Sequence, residues 1–252
     1  MKKIRTGLCL SLFALLLTGC AAGDNSIDDT PVEQLYLQAH TYFKDKNYEE
    51  AARFFDEVER QHPYSVWSPR AQIMAAFSFY SAKKYDDAVL ALDRFIQLHP
   101  GNKNIAYAYY LKGLCYFEQM SDVSREQKMT EDALETFKEL LYRFPNSIYT
   151  ADVNAKLIEI NSHLAGKEMS VGRYYQKNNE FVPALNRFQS VLLDHPNANQ
   201  SSEAIYRLAS CYVSLGMIKQ AEQMARILEH YYPKSVWATK ANNLIQKYKK
   251  EK

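Results

Sequence analysis

Residues 39–63 read AHTYFKDKNYEEAARFFDEVERQHP. A small residue, Ala39, is followed three positions later by an aromatic, Tyr42. A second apolar period starts at Ala51, continues four later at Phe55, and ends at Pro63, twelve after Ala51. Residues three or four apart share one face of a helix, so Ala39/Tyr42 and Ala51/Phe55 mark the faces of two helices. Pro63 ends the second, because its ring and missing N–H cannot continue the ladder. The stretch predicts a helix hairpin.

The same grammar returns four times. Small–aromatic pairs recur at Ala76/Phe79, Gly113/Tyr116, Gly172/Tyr175 and Ala209/Tyr212. The matching Ala and Pro are Ala88/Pro100, Ala133/Pro145, Ala184/Pro196 and Ala221/Pro233. Leu92, Phe137 and Phe188 sit four after the Ala, with Ala225 the exception. Pro63-Tyr-Ser-Val-Trp67 and Pro233-Lys-Ser-Val-Trp237 are near copies. This pattern resembles the tetratricopeptide repeat, in which small residues let two helices approach and aromatics fill the gap. The predicted fold is all-α: an α-solenoid of five tetratricopeptide helix hairpins plus a C-terminal capping helix. That last helix is patterned by Ala241, Leu244, Ile245 and Tyr248.

Two departures carry information. Gly113 to Ala133 spans 20 residues where the other repeats span 12. The extra residues, around Ser121 to Met129, are expected to protrude as a loop. Pro145 to Gly172 is 27 residues rather than 13, with Val153, Leu157, Ile160 and Leu164 at helical spacing. A long helix is predicted there, weakened at Gly166.

Composition agrees: 47% hydrophobic with only 8 Gly and 8 Pro excludes a disordered chain and argues against a barrel of short strands. A formal charge of +2 gives no sign of nucleic-acid binding. Lys2, Lys3 and Arg5 precede an apolar run from Leu8 to Leu17, half the length of a membrane span. This describes an export signal over residues 1–19. Its end, Leu17-Thr18-Gly19-Cys20, resembles the bacterial lipobox, which implies acylation of Cys20. Loss of the signal removes three basic residues and no acid, turning +2 into −1. Ala21 rather than Asp after the Cys resembles lipoproteins sorted to the outer membrane. Residues 20–30 then form the lipidated N-terminus and a tether to the bilayer. Residues 31–145 hold repeats one to three. Residues 146–252 hold the long helix, repeats four and five and the cap. With Cys9 in the signal, Cys115 and Cys211 remain, at equivalent places in non-adjacent repeats; both read as small core residues rather than a disulfide.

No phosphate-binding Gly loop, HExxH, CxxC or GxSxG is present, so the chain reads as a non-enzymatic scaffold with no cofactor. His62, His99 and His195 each precede a repeat Pro, where a C-terminal cap favourable to the helix dipole is the simple reading. Lys247, Lys249, Lys250 and Lys252 read as a solvated helix end. In this repeat, positions −3, +1 and +4 from the small residue tend to face inward. They include Tyr36, Phe43, Phe77, Tyr80, Tyr110 and Phe117. These aromatics either line a groove for an extended peptide or are ordinary core under the loops and first helix.

Asn104-Ile-Ala-Tyr-Ala-Tyr-Tyr-Leu-Lys-Gly113-Leu114 and Ser124-Arg-Glu-Gln127, with Pro145-Asn-Ser147, Val171-Gly-Arg-Tyr-Tyr175 and Asn186-Arg187, resemble the BamD family. Those are repeat lipoproteins of the outer-membrane β-barrel assembly machinery. The resemblance implies binding to BamA, a barrel with periplasmic POTRA domains, alongside other lipoproteins of that machinery. It also implies recognition of C-terminal signals of unfolded barrel precursors by the N-terminal repeats. Asn186 and Arg187 are the expected POTRA contact, against the alternative of plain surface residues. The insertion is short for that family. Rival readings are a pilotin or an adaptor for peptidoglycan hydrolases, each also a repeat lipoprotein; a helical peptidoglycan lyase or hydrolase would need a Glu in a saccharide cleft, and none stands out.

Overall fold

The computed structural model describes residues 30–196 and 198–250. The export signal, Cys20 and most of the tether lie outside these residues, as does Lys252. Among the described residues eleven α-helices follow one another: α1 (Val32–Lys44), α2 (Tyr48–Gln61), α3 (Ser68–Ser81), α4 (Tyr85–Leu98), α5 (Ile105–Glu118), α6 (Lys128–Arg143), α7 (Thr150–Lys177), α8 (Phe181–Asp194), α9 (Ser201–Ser214), α10 (Ile218–Tyr231) and α11 (Val236–Lys250). The first ten pair as five hairpins, each packed chiefly on its sequence neighbours, and α11 lies against α9 and α10. This is the predicted tetratricopeptide solenoid with its cap.

The spacing rule has a direct steric cause. A Cβ added at Gly113 would fall 2.3 Å from Phe137 Cε1, and one at Gly172 would fall 2.5 Å from Phe188 Cε1. The small position of the first helix is therefore where the aromatic of the second presses in. Ala39 and Ala76 occupy the same register, fully buried, in the hairpins that carry Phe55 and Leu92. Four of the hairpin turns share one backbone device. Lys46, Lys83, Asn179 and Gly216 have φ of 59°, 60°, 62° and 75°. The next amide reaches back five residues: Asn47 to Tyr42, Lys84 to Phe79, Glu180 to Tyr175 and Met217 to Tyr212, at 2.8–2.9 Å. This left-handed cap satisfies carbonyls that the helix end leaves open.

At the opposite edge, the residues before the repeat prolines, His62, His99, Phe144, His195 and Tyr232, all take φ near −130° and ψ of 50–59°. Proline forces its predecessor out of the helical region, so helix and cap end together. The histidines sit at the helix C-caps as expected, and their rings pack within their own hairpins. The His62 ring bonds the Thr30 carbonyl at 2.9 Å, His99 packs on Phe95, and His195 meets the Asn161 side chain at 3.2 Å. Burial lowers the His195 pKa, so at neutral pH that ring is uncharged and the dipole argument fails there.

Both departures take the form expected, a loop between α5 and α6 and a long helix α7, and the structure adds how they are joined. Residues 119–127 do not project freely. Asp122 Oδ1 accepts from the Ser124 amide at 2.8 Å, and Gln127 Nε2 donates to the Asp122 and Arg125 carbonyls. The knot so formed rests on α7, where Lys167 Nζ donates to the Ser124 carbonyl at 3.2 Å. The helix α7 runs unbroken through Gly166, whose Cα side faces Val123. A Cβ there would stand 3.3 Å from Val123 Cγ1, so the glycine makes room for the insertion. At 28 residues α7 spans about 42 Å and belongs to two cores. Val153, Ile160 and Leu164 pack with α3–α6, while Ala165 and Met169 pack with α8 and α9. Cys115 and Cys211 are free, buried thiols, pushed up to about 12 and about 11 by burial.

Candidate functional site

Five of the six aromatics singled out by position divide into two groups, and Tyr36 stands apart. Phe43, Phe77 and Tyr80 form one string with the second-helix residues Tyr48 and Tyr85. Ring centroids are 5.4 Å for Phe43–Tyr48, 5.6 Å for Phe43–Phe77, 6.4 Å for Phe77–Tyr80 and 5.8 Å for Tyr80–Tyr85. All five are half-buried, neither covered as core nor fully free. Such rings hold each other in place while leaving one side to solvent. Glu118, at the end of α5, adds to the burial that raises the pKa of Tyr80 and Tyr85. Its carboxylate puts a negative field over this end of the string.

The second group lies where α5 meets α7. Tyr110 stacks on Tyr149 at 4.5 Å and donates its hydroxyl to Asp152 Oδ2 at 2.8 Å. Burial first, and then this bond, hold the Tyr110 phenol well above its ordinary pKa. Tyr107 packs on Tyr149 at 5.8 Å; burial pushes it up to about 12, and Tyr80 and Tyr149 add to the shift. Two turns along α5, Phe117 carries Lys156 Nζ at 4.7 Å from its ring centre, and Lys156 lies 3.8 Å from Asp152. A cation over a ring beside a carboxylate gives this end of the face a polar lip.

Tyr36 is a correction. It is only 6% exposed, wedged between Phe55 at 5.3 Å and Trp67 at 4.8 Å. The cause is general to position −3. Tyr36, Tyr110 and Tyr206 each stack on the aromatic four after a repeat Pro, namely Trp67, Tyr149 and Trp237, at 4.8, 4.5 and 5.2 Å. Ile73 and Met169, the same position in the other two repeats, are buried as well. Position −3 therefore staples one hairpin to the next. Tyr110 does this too, but remains half-buried and edges the face.

The +1 and +4 positions change character along the chain. Phe77, Tyr80 and Phe117 give way in the fourth repeat to Arg173 and Gln176. Arg173 bonds Glu203 through both Nε and Nη2 at 3.0 and 2.8 Å; Arg207 bonds the same carboxylate at 2.7 Å and reaches Gln176 at 2.8 Å. This network escaped the sequence reading, although its register was the one that selected the aromatics. Tyr48 and Tyr85 escaped it too, and their separation of 37 residues was the available signal. Asn186 and Arg187 are exposed on α8, beside Tyr175, Pro183 and Ser190. Arg187 Nη1 pairs with Glu168 Oε2 at 3.1 Å, so its guanidinium is held against α7 while still half open to solvent. Lys249 pairs with Glu222 at 2.7 Å, tying the tail of α11 to α10. Among the described residues no three His, Cys, Asp or Glu side chains gather as a metal site.

Five stacked helix hairpins, each closing a small residue of its first helix against its second, define a tetratricopeptide-repeat protein. The family model described as "YfiO: Outer membrane lipoprotein" matches residues 28–228. A Caulobacter vibrioides protein named outer membrane protein assembly factor BamD is 38% identical over 238 residues, 93% of this chain and 78% of that one. The Rickettsia prowazekii protein of the same name is 37% identical over 98% of this chain and 99% of its own. The chain belongs to this BamD (YfiO) family. Among solved structures the tetratricopeptide domain of P58(IPK) overlaps 87% of this chain and 66% of its own, with TM-score 0.45 and 13% identity, too loosely to add to the fold.

Proposed function

We propose that this chain is a periplasm-facing, lipid-anchored scaffold of the outer-membrane β-barrel assembly machinery. The observation that carries this is family membership over nearly the whole chain, with relatives named as outer membrane protein assembly factors. Acylated Cys20 holds the protein to the membrane. The first three repeats take up the C-terminal segment of an unfolded barrel precursor. Asn186 and Arg187 dock a POTRA domain of BamA, with the other lipoproteins of the machinery nearby.

The half-buried string Phe43–Phe77–Tyr80 supports the peptide reading, because aromatic side chains spaced along a face suit the alternating apolar residues of an extended strand. Glu118 and Asp152 at its borders disfavour an acidic segment, while Lys156 offers a cation to a carboxylate. For docking, a partner carboxylate would compete with Glu168 for Arg187; an already oriented guanidinium loses less freedom on binding. The work is capture and handover, driven by apolar burial and charge pairing rather than by chemistry.

The peptide arm is tested with the full chain in mild detergent and a fluorescent peptide copied from the last strand of a barrel protein. Replacing Phe77 and Tyr80 together with Ala removes two aromatic anchors and should weaken binding about tenfold or more, with the helical circular dichroism unchanged. Equal affinity in the variant would remove these rings from the site.

A further inference from the structure

The turn joining α2 to α3 presents two apolar side chains to solvent, Tyr64 at 101% and Val66 at 90% exposure. Its backbone is fixed from both sides. The Ser65 amide donates to the His62 carbonyl at 3.0 Å, and the Ser68 amide donates to Ser65 through its carbonyl and its hydroxyl, both at 3.2 Å. Trp67, packed on Tyr36, anchors the turn from below. The exposure is thus built in. The residues one and three after the other repeat prolines are, in sequence, Gly101 and Lys103, Asn146 and Ile148, Asn197 and Asn199, and Lys234 and Val236. Only the first turn carries an apolar residue at both.

This turn also lies where the chain leads off toward Cys20. The His62 ring, two residues before Tyr64, donates to the carbonyl of Thr30 at 2.9 Å. Cys20 precedes Thr30 by ten residues, at most about 35 Å of chain. Arg60 and Arg70 flank the turn and are exposed, Arg60 paired with Glu57 at 2.5 Å and Arg70 lying 5.6 Å over the Tyr36 ring. Tyrosine beside arginine is the composition that settles at a bilayer interface, with the ring among headgroups and the cation near phosphate.

We propose that the turn at Tyr64 and Val66 is a second membrane contact, seated in the headgroup layer beside the acylated Cys20. This rests on the lipid anchor proposed above. Two side chains would not hold a protein on a membrane alone; a tether of this length keeps them at high local concentration, so a weak contact suffices to orient the body. The other end of α3 and its turn at Lys83 lie about 21 Å away along the helix, on the opposite edge of the stack. That edge points to the periplasm, and the aromatic face is presented side-on to the membrane.

The test uses the acylated full-length chain in phosphatidylethanolamine–phosphatidylglycerol vesicles, carrying an environment-sensitive dye at Tyr64→Cys or at Lys83→Cys. Cys115 and Cys211 are buried and stay unlabelled in the folded protein. Flotation comes first. In floated protein the dye at 64 should emit to the blue and lose intensity to a bilayer-resident quencher, while the dye at 83 behaves as in water. Floated protein with both dyes in water overturns the contact and leaves the anchor standing. Protein that does not float removes the anchor, and the contact with it. A blue shift at 64 that appears only when a POTRA-containing barrel is added reassigns the turn to a protein partner.

Discussion

Gly172 has no space for a methyl group, because Phe188 fills the position a Cβ would take at 2.5 Å. Alanine would gain about 1 kcal/mol in helix propensity but must push a fully buried ring, which costs about 1–3 kcal/mol. Gly172→Ala should therefore lower the urea midpoint, and a raised midpoint would mean the hairpin has slack. Lys83 holds φ of 60°, a conformation that costs a side-chain-bearing residue about 1 kcal/mol. Lys83→Gly should stabilise by about 0.5 kcal/mol or leave stability level, glycine's extra unfolded freedom offsetting part of the gain; a clear loss by thermal unfolding would contradict the strain argument. Asp56, facing Arg94, Glu59 and Asp87, is pushed up to about 6 from 3.8, chiefly by burial. Its folded form holds the proton more tightly than the unfolded chain does. The associated stability is present below the unfolded value and lost as pH rises through about 6. Asp56→Asn should gain on the parent between pH 4 and pH 7, modestly because the carboxyl is over a third exposed; a flat difference would sink the assignment. At this scale the small–aromatic pairs were readable because they recur. The strained turns at Lys46 and Lys83 were not, since lysine carries no mark of a left-handed backbone.

The helix α7 shows what periodicity carries and what it misses. Val153, Leu157, Ile160 and Leu164 announced its length, and a glycine inside it suggested weakness. Only the fold reveals that Gly166 faces Val123 from a distant loop. Likewise Tyr36 and Trp67 lie 31 residues apart, and their pairing follows from stacking of hairpins, which no local pattern states. The equivalent staple at the C-terminus, Tyr206 on Trp237, holds α11 onto α9. Trp237→Ala removes a half-buried aromatic at a helix start and should cost about 2–3 kcal/mol locally. Hydrogen exchange should then rise throughout α11 and stay unchanged in α1 to α6. Uniform acceleration would show instead that the stack opens as one unit.

Across the whole molecule, a linear stack passes strain only between neighbours, which lets the two halves carry different surfaces. The aromatic string of the early repeats and the Arg173–Glu203–Arg207 network of the later ones are those two surfaces. Repeat number, cap and family were legible from sequence because each rests on recurrence. The face itself was legible only in part, because position −3, which looks equivalent to +1 and +4 in sequence, joins hairpins and buries Tyr36. The most direct measurement is affinity purification of the chain from native outer membranes in mild detergent, with mass spectrometry of the co-eluting proteins. The account predicts a POTRA-containing barrel near stoichiometric yield. A secretin or a cell-wall hydrolase in its place would contradict it.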